Sequence, residues 1–293
     1  MMQALSPKNG GVYVDATFGG GGYTQAILES AACTVLAIDR DPAAVQRAAA
    51  FKTLYQERFH FLHGCFGDLD HLLEPFGLID GIVFDFGVSS YQLDEADRGF
   101  SFRFNGPLDM RMSQQGISAQ DVVNTYSAED IAKILWVYGE EPQSRRIAKA
   151  IVAQRQQSPL TTTLELANLV RQIVQRKDGL DPATLTFQAL RIFVNNELIE
   201  IDKALKKCLS FLSREGKIVT ITFHGLEDRL VKNWMRERRN PVAHPQCNQS
   251  LWNVVPVFKK PIVPSNQEIK ENPRSRSAKL RAFVFNPCGP LTV

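Results

Sequence analysis

Short runs in which nearly every position is apolar recur along the first third of the chain: Val12–Thr17, Thr34–Asp39, Phe59–His63 and Gly81–Phe86. Runs of this kind fit strands covered on both faces, since a strand with one wet face would alternate apolar and polar side chains. Between them, Tyr23–Ser30, Pro42–Leu54 and Leu69–Phe76 read as helices. Such alternation of strand and helix implies a parallel, doubly wound sheet with right-handed crossovers. From about Phe102 to Asn196 the strand pattern stops. Helices are expected at Ile131–Tyr138 behind a capping box over Ser127–Asp130, at Arg145–Gln157 and at Leu164–Lys177, followed by one long helix from Pro182 to Leu212. A strand at Gly216–His224, a helix at Leu226–Arg236 and β-type runs near Val254–Val263 and Leu280–Asn286 then resume the sheet. The expected organisation is an α/β sheet domain built from 1–101 and 197–293, interrupted by an all-helical domain over 102–196.

In a sheet of this type, ligands bind beyond the carboxyl ends of the strands. Polar residues gather at those ends here. Asp15 closes the first strand ahead of the loop Phe18-Gly-Gly-Gly-Gly-Tyr23, Asp39 closes the second, Phe66 and Asp68 follow the third, and Asp85 closes the fourth. Glycines let backbone approach a ligand closely. An acid beside that loop would repel a pyrophosphate and attract an ammonium group, which favours S-adenosylmethionine over a nicotinamide dinucleotide. The missing Gly-x-Gly-x-x-Gly spacing also counts against a dehydrogenase. Asp39 stands where an acid holds ribose hydroxyls, Phe66 is placed to pack on an adenine, and Asp68 to meet its amino group.

Composition narrows the class. With 293 residues, of which 44% are hydrophobic and 22% charged, the chain can bury a full core. No apolar run approaches the ~20 residues of a bilayer span, and the first residues lack a signal peptide's apolar segment, so a soluble cytoplasmic protein is expected. Five scattered cysteines with no Cys-x-x-Cys argue against a disulfide framework and a structural zinc site. His244 and Cys247 form the only near-ligand pair, so no metal is expected. Net charge is only +3, but between Gly225 and Arg281 twelve basic residues face five acidic ones. A phosphate backbone would favour that local surplus, which solvated helix faces also produce.

Six ordered blocks carry a resemblance. They are Asp15-Ala-Thr-Phe-Gly-Gly-Gly-Gly-Tyr23, Ala37-Ile-Asp-Arg-Asp-Pro42, Asp85 through Met112, Thr186 through Leu198, Phe223-His-Gly-Leu-Glu-Asp-Arg229 and Glu271-Asn-Pro-Arg-Ser-Arg-Ser277. Together the chain resembles the MraW/RsmH family of S-adenosylmethionine-dependent methyltransferases, from about Val12 to Arg281. The resemblance implies a Rossmann-like class I methyltransferase fold. It also implies methylation of the N4 amine of a cytosine in the decoding region of small-subunit (16S) ribosomal RNA. By motif position it implies cofactor contacts at Gly21, Gly22, Tyr23, Asp39, Phe66, Asp85 and Gln92. The chain departs from the family pattern at Gly20, Tyr23 and Gly225, and begins after the His-x-Pro-Val type segment that usually precedes the first strand.

The chemistry expected on this basis centres on Asp85, which would hold the cytosine amine in line with the methyl group, with Asp109 a second candidate for the base edge. Phe100, Phe102 and Phe104, interleaved with Arg98 and Arg103, would stack an unpaired base beside phosphates, unless they anchor the inserted domain. The alternative from another class is a non-catalytic RNA-binding ribosome assembly factor that kept the fold. No membrane partner is expected, and the sequence leaves a homodimer open.

Overall fold

A computed structural model describes residues 1–175, 179–238, 242–244 and 247–290. In chain order the elements are α1 (Met2–Leu5), β1 (Val12–Asp15), α2 (Gly22–Ser30), β2 (Thr34–Asp39), α3 (Pro42–Tyr55), β3 (Phe59–His63), α4 (Leu69–Leu73) and β4 (Ile79–Asp85). There follow α5 (Ser90–Asp94), α6 (Ala119–Thr125), α7 (Ala128–Gly139), α8 (Ser144–Gln157), α9 (Thr163–Ile173), α10 (Thr184–Val194) and α11 (Glu197–Lys207). The chain closes with β5 (Leu212–Thr222), α12 (Gly225–Glu237), β6 (Val242–His244), β7 (Cys247–Pro256), α13 (Asn266–Glu271) and β8 (Lys279–Pro290).

The described strands form one sheet in the order β3-β2-β1-β4-β5-β8-β7-β6. The first five are parallel and β8 runs antiparallel to β5, giving the Rossmann-like doubly wound fold expected from the alternation. Neighbouring residues on each strand feed opposite faces. Val14, Leu36, Ile82 and Ile218 enter one core with Leu69, Ile201, Leu205 and Trp234, while Tyr13, Val35, Val83 and Val219 enter another with Leu5, Ile27, Leu28 and Ala48. Continuous apolar strands are thus the consequence of helices on both sides.

The chain divides into two compact units, one of Met1–Gly87 with Leu198–Val293 and one of Val88–Glu197. The first boundary therefore falls before position 101. The physical reason is that Val88, Leu93, Phe100 and Leu108 all pack into the core of the helical unit, against residues such as Ile131, Leu166 and Leu190.

Two expectations about elements change. The long helix read over Pro182–Leu212 is broken at Asn195 and Asn196 into α10 and α11, followed by a 3-10 turn over Cys208–Phe211. Asn196 takes a left-handed φ of 52°, which Asn tolerates better than most residues. Asn195 is buried and turns its amide to other backbone: its Nδ2 donates to the Met110 carbonyl at 2.7 Å and its Oδ1 accepts from the Met112 amide at 2.8 Å. The Val254–Val263 run ends its strand at Pro256, leaving Ile262 as a lone bridge to Leu280. The expected helix end at Lys177 lies outside the described residues, as do the side chains of His244 and Cys247.

Candidate active site

Parallel pairing brings four strand ends together. Asp15, the last residue of β1, is level with Ala37 of β2 and Val83 of β4, and Asp39 at the end of β2 is level with His63 of β3. Asp15, Asp39 and Asp85 thus share the carboxyl rim of the sheet.

Asp15 is fully buried and held by the start of α2. Its Oδ2 accepts from the Thr24 hydroxyl at 2.7 Å and the Thr24 amide at 3.1 Å, and its Oδ1 accepts from the Thr17 amide at 3.2 Å. Burial nevertheless raises its pKa to about 6, with the charge of Asp39 adding to the rise. Asp39 receives the Gly19 amide at 2.7 Å on one oxygen and the Asp41 amide at 2.8 Å on the other. Burial pushes this carboxyl up as well. The glycine loop is therefore tied to both acids, and Arg47 Nε closes it by donating to the Gly19 carbonyl at 2.8 Å.

Gly21 is the residue the loop cannot replace. It sits at φ 81° as the cap of α2, and a Cβ there would lie 2.3 Å from Phe51 and 2.8 Å from Phe18. Gly22 differs, since a Cβ on it would meet nothing within 4 Å. The two glycines differ in kind: one permits the turn, and a side chain on the other would enter open space.

Asp85 completes the cluster. Its amide donates to the Thr17 hydroxyl at 2.8 Å, fixing β4 to β1, and the Tyr23 hydroxyl donates to its carboxylate. Its Oδ1 is buried without a hydrogen-bond donor among the described residues. Burial first, then the charges of Asp15 and Glu227, raise its pKa to about 7. Burial first, then the charges of Asp85 and Asp15, also push the Tyr23 phenol upward, so it stays a donor.

Phe66 opens the 3-10 turn after β3 and is half-buried, with its ring 6.1 Å from Phe84 and 5.9 Å from Phe86. It belongs partly to the core and partly to the rim. Behind it, Glu200 of α11 occupies the place a side chain at Gly67 would need and accepts the Cys65 thiol at 3.2 Å.

The remaining candidates belong to the helical unit. Gln92 is buried in a capping box, its Oε1 accepting from the Ser89 amide at 3.0 Å. The Asp109 carboxylate is gripped by Arg111, with Nη2 at 2.6 Å, Nε at 3.0 Å and the Arg111 amide at 2.8 Å. The interleaved aromatic reading is corrected in part. Phe100 is core, Phe102 packs edge-on against Phe187 at 4.9 Å, and Arg98 spends its guanidinium on the Arg111 and Met112 carbonyls. Only Arg103 and Phe104 stand out in solvent.

Sequence reasoning did not single out Thr17, Thr24, Arg47 or Glu227 as parts of the site. Thr24 carried a signal, because a hydroxyl in the first turn after a glycine loop is well placed to bond a strand-end acid. Glu227 was visible only as a member of the Phe223–Arg229 block, yet it is fully buried and accepts the Phe223 amide at 2.7 Å.

A rim on which the carboxylates of Asp15, Asp39 and Asp85 gather, with one oxygen of Asp85 buried and without a donor among the described residues, suits a cationic ligand. A model of the MraW methylase family matches residues 1–286. The chain belongs to that family. It is 49% identical to the "Ribosomal RNA small subunit methyltransferase H" of Rhodospirillum centenum, over 96% of this chain and 88% of the relative. It is 50% identical to the protein of the same name from Acidiphilium cryptum, over 95% and 93%. Among solved structures, an rRNA methylase from Streptococcus thermophilus superposes with a TM-score of 0.41 at 12% identity, covering 97% of this chain and 90% of that one. The MraW methylases use S-adenosylmethionine, the cofactor expected from the strand-end acids. The residues fit it: a buried unpartnered carboxylate oxygen, two further acids and an open glycine would meet a ligand carrying a sulfonium, an ammonium and a ribose, and no phosphate.

Proposed function

We propose that this MraW-family chain methylates small-subunit (16S) ribosomal RNA, transferring a methyl group from S-adenosylmethionine to the N4 amine of a cytosine in the decoding region. The supporting observation is Asp85, a carboxylate at the rim of the sheet with one buried oxygen lacking a donor and a pKa raised to about 7. The name shared by its relatives agrees with the substrate class.

When bound, the cofactor supplies an electrophilic methyl group on a positively charged sulfur. The protein does the rest. Asp39 offers its remaining lone pairs to the ribose hydroxyls, Gly22 leaves room for the ligand, Phe66 lies against the adenine, and Asp15 keeps the loop in register while lending negative charge. Asp85 Oδ1 accepts an N–H of the cytosine amine, which orients a weak nucleophile for attack, an arrangement that contributes roughly 7 kcal/mol or more. The same oxygen takes the proton that the amine sheds, and a carboxyl titrating near neutrality is matched to that task. Asp109 is less suited, since Arg111 already engages both its oxygens.

Incubating the protein with S-adenosylmethionine and unmodified small subunits, then mapping new methyl groups by mass spectrometry, tests the proposal. A mark on a cytosine exocyclic nitrogen is expected. Methylation elsewhere, or none, would refute it.

A further inference from the structure

The basic residues near the end of the chain are not spread at random over the sheet unit. Register across the rim runs in one row: Asp85 of β4 pairs with Ile221 of β5, Ile221 with Leu280 of β8, and Leu280 with Ile262. Strand spacing then puts the Leu280 backbone two ladders from Asp85, about 10 Å away. The segment entering β8 from that row, α13 and the 3-10 turn Pro273–Ser277, carries Lys270, Arg274 and Arg276. Because the Ile262–Leu280 bridge is antiparallel, the exposed Lys259 and Lys260 lie on its Arg281 side, away from Arg276.

This segment is built to be rigid. Ser265 caps α13 through the Glu268 amide at 3.1 Å, and Asn272 caps the turn through the Arg274 amide at 3.2 Å. Ser275 is buried, with its hydroxyl donating to the Asn272 carbonyl at 2.7 Å, while Arg276 is exposed. The next basic residues share one acid: Arg281 is held by Asp228 at 2.8 Å, and Lys279 lies 3.8 Å from the same carboxylate. Asp228 thus anchors the start of β8, and Arg276 is left to face solvent. β8 runs antiparallel to β5 and Lys279 pairs with Thr222, so this segment comes in from beyond the carboxyl end of β5.

We propose that Arg276, on the turn that leads into the Leu280 row, clamps an RNA phosphate flanking the target base. The proposal rests on the methyltransferase reading and adds the surface that seats the strand. A fixed turn suits the role, since phosphate contacts set register and orientation while carrying no sequence information. Arg276 is a positioning residue, distinct from those that touch the reacting atoms.

The test is binding of a fluorescently labelled single-stranded RNA containing the target cytosine, read by anisotropy over a salt series, alongside steady-state methylation and calorimetric titration with S-adenosylmethionine. Arg276→Ala is expected to weaken RNA binding about 5- to 10-fold, to reduce the slope of log affinity against log salt by about 1, and to do so equally for an unrelated RNA. Cofactor affinity and kcat should stay at the wild-type level while the KM for RNA rises. Arg276→Lys should recover most of the binding, because a phosphate accepts a point charge. Unchanged RNA affinity and salt slope in Arg276→Ala would overturn the clamp, as would loss confined to cofactor affinity. Absence of turnover in the wild type would count against the proposed reaction, and the anisotropy series would still decide the clamp.

Discussion

Asp85 and its neighbours show how a residue's environment sets its chemistry. Burial first, then neighbouring carboxylates, raises the proton affinity of Asp15 and Asp85, and that repulsion is a cost of keeping the site ready. Replacing Asp85 by Asn removes a negative charge from beside Asp15 and Glu227, so Asp85→Asn should raise the thermal midpoint of the free protein while lowering kcat by 100-fold or more, on the order of what a positioned base contributes. The glycines separate in the same way. Gly21→Ala forces a left-handed alanine into Phe51 and Phe18 and should destabilise the fold by about 2 kcal/mol or more, measured by urea denaturation. Gly22→Ala should leave stability within ~1 kcal/mol and instead reduce cofactor affinity, measured by calorimetry. The acids at the strand ends were legible in the sequence because each closes an apolar run. The long-range bonds around them were not: Thr17 reaches Asp85 across 68 positions and Arg47 reaches Gly19 across 28, and no local pattern announces such bonds.

At the scale of elements, periodicity served well wherever burial on two faces left a continuous apolar run, as in β1, β2 and β4. It failed where a side chain competed with the helix for backbone partners. Asn195 and Asn196 lie within an uninterrupted helical pattern, and only the Met110 and Met112 backbone explains why α10 stops there. Asn195→Leu would leave two buried backbone groups unsatisfied and should cost about 2 to 4 kcal/mol in urea unfolding, with no direct effect on the rim acids. The short helix α5 and the turn Pro273–Ser277 also escaped the hydrophobic pattern, because capping bonds define them and apolar spacing does not. The aromatic run at Phe100–Phe104 was misleading for a related reason: alternating rings and arginines look alike whether they meet a base or, as Phe102 does, a neighbouring ring.

For the whole molecule, the sheet unit is a scaffold that delivers four strand ends, a glycine turn and a basic edge to one rim, while the chain leaves it at Gly87 and returns at Leu198. Among the described residues no helix is long and apolar enough to cross a membrane. The rim's electrostatics give the molecule a pH signature. The pKa of Asp15 at about 6 and of Asp85 at about 7 lies above the ordinary carboxylate value of 3.8, so the free protein takes up protons on folding between these limits. Its stability should therefore fall as pH rises from about 4 to about 7 and level off above. A cationic cofactor reverses the preference, since it favours the ionised acids. Titrating the wild type and Asp85→Asn with S-adenosylmethionine from pH 5.5 to 7.5 tests this most directly. Wild-type affinity should climb with pH and binding should release protons, while Asp85→Asn should bind more weakly at pH 7.5 with a flatter profile. Affinity that ignores pH, and is equal in the two proteins, would contradict the assignment of the rim carboxylates to the cofactor.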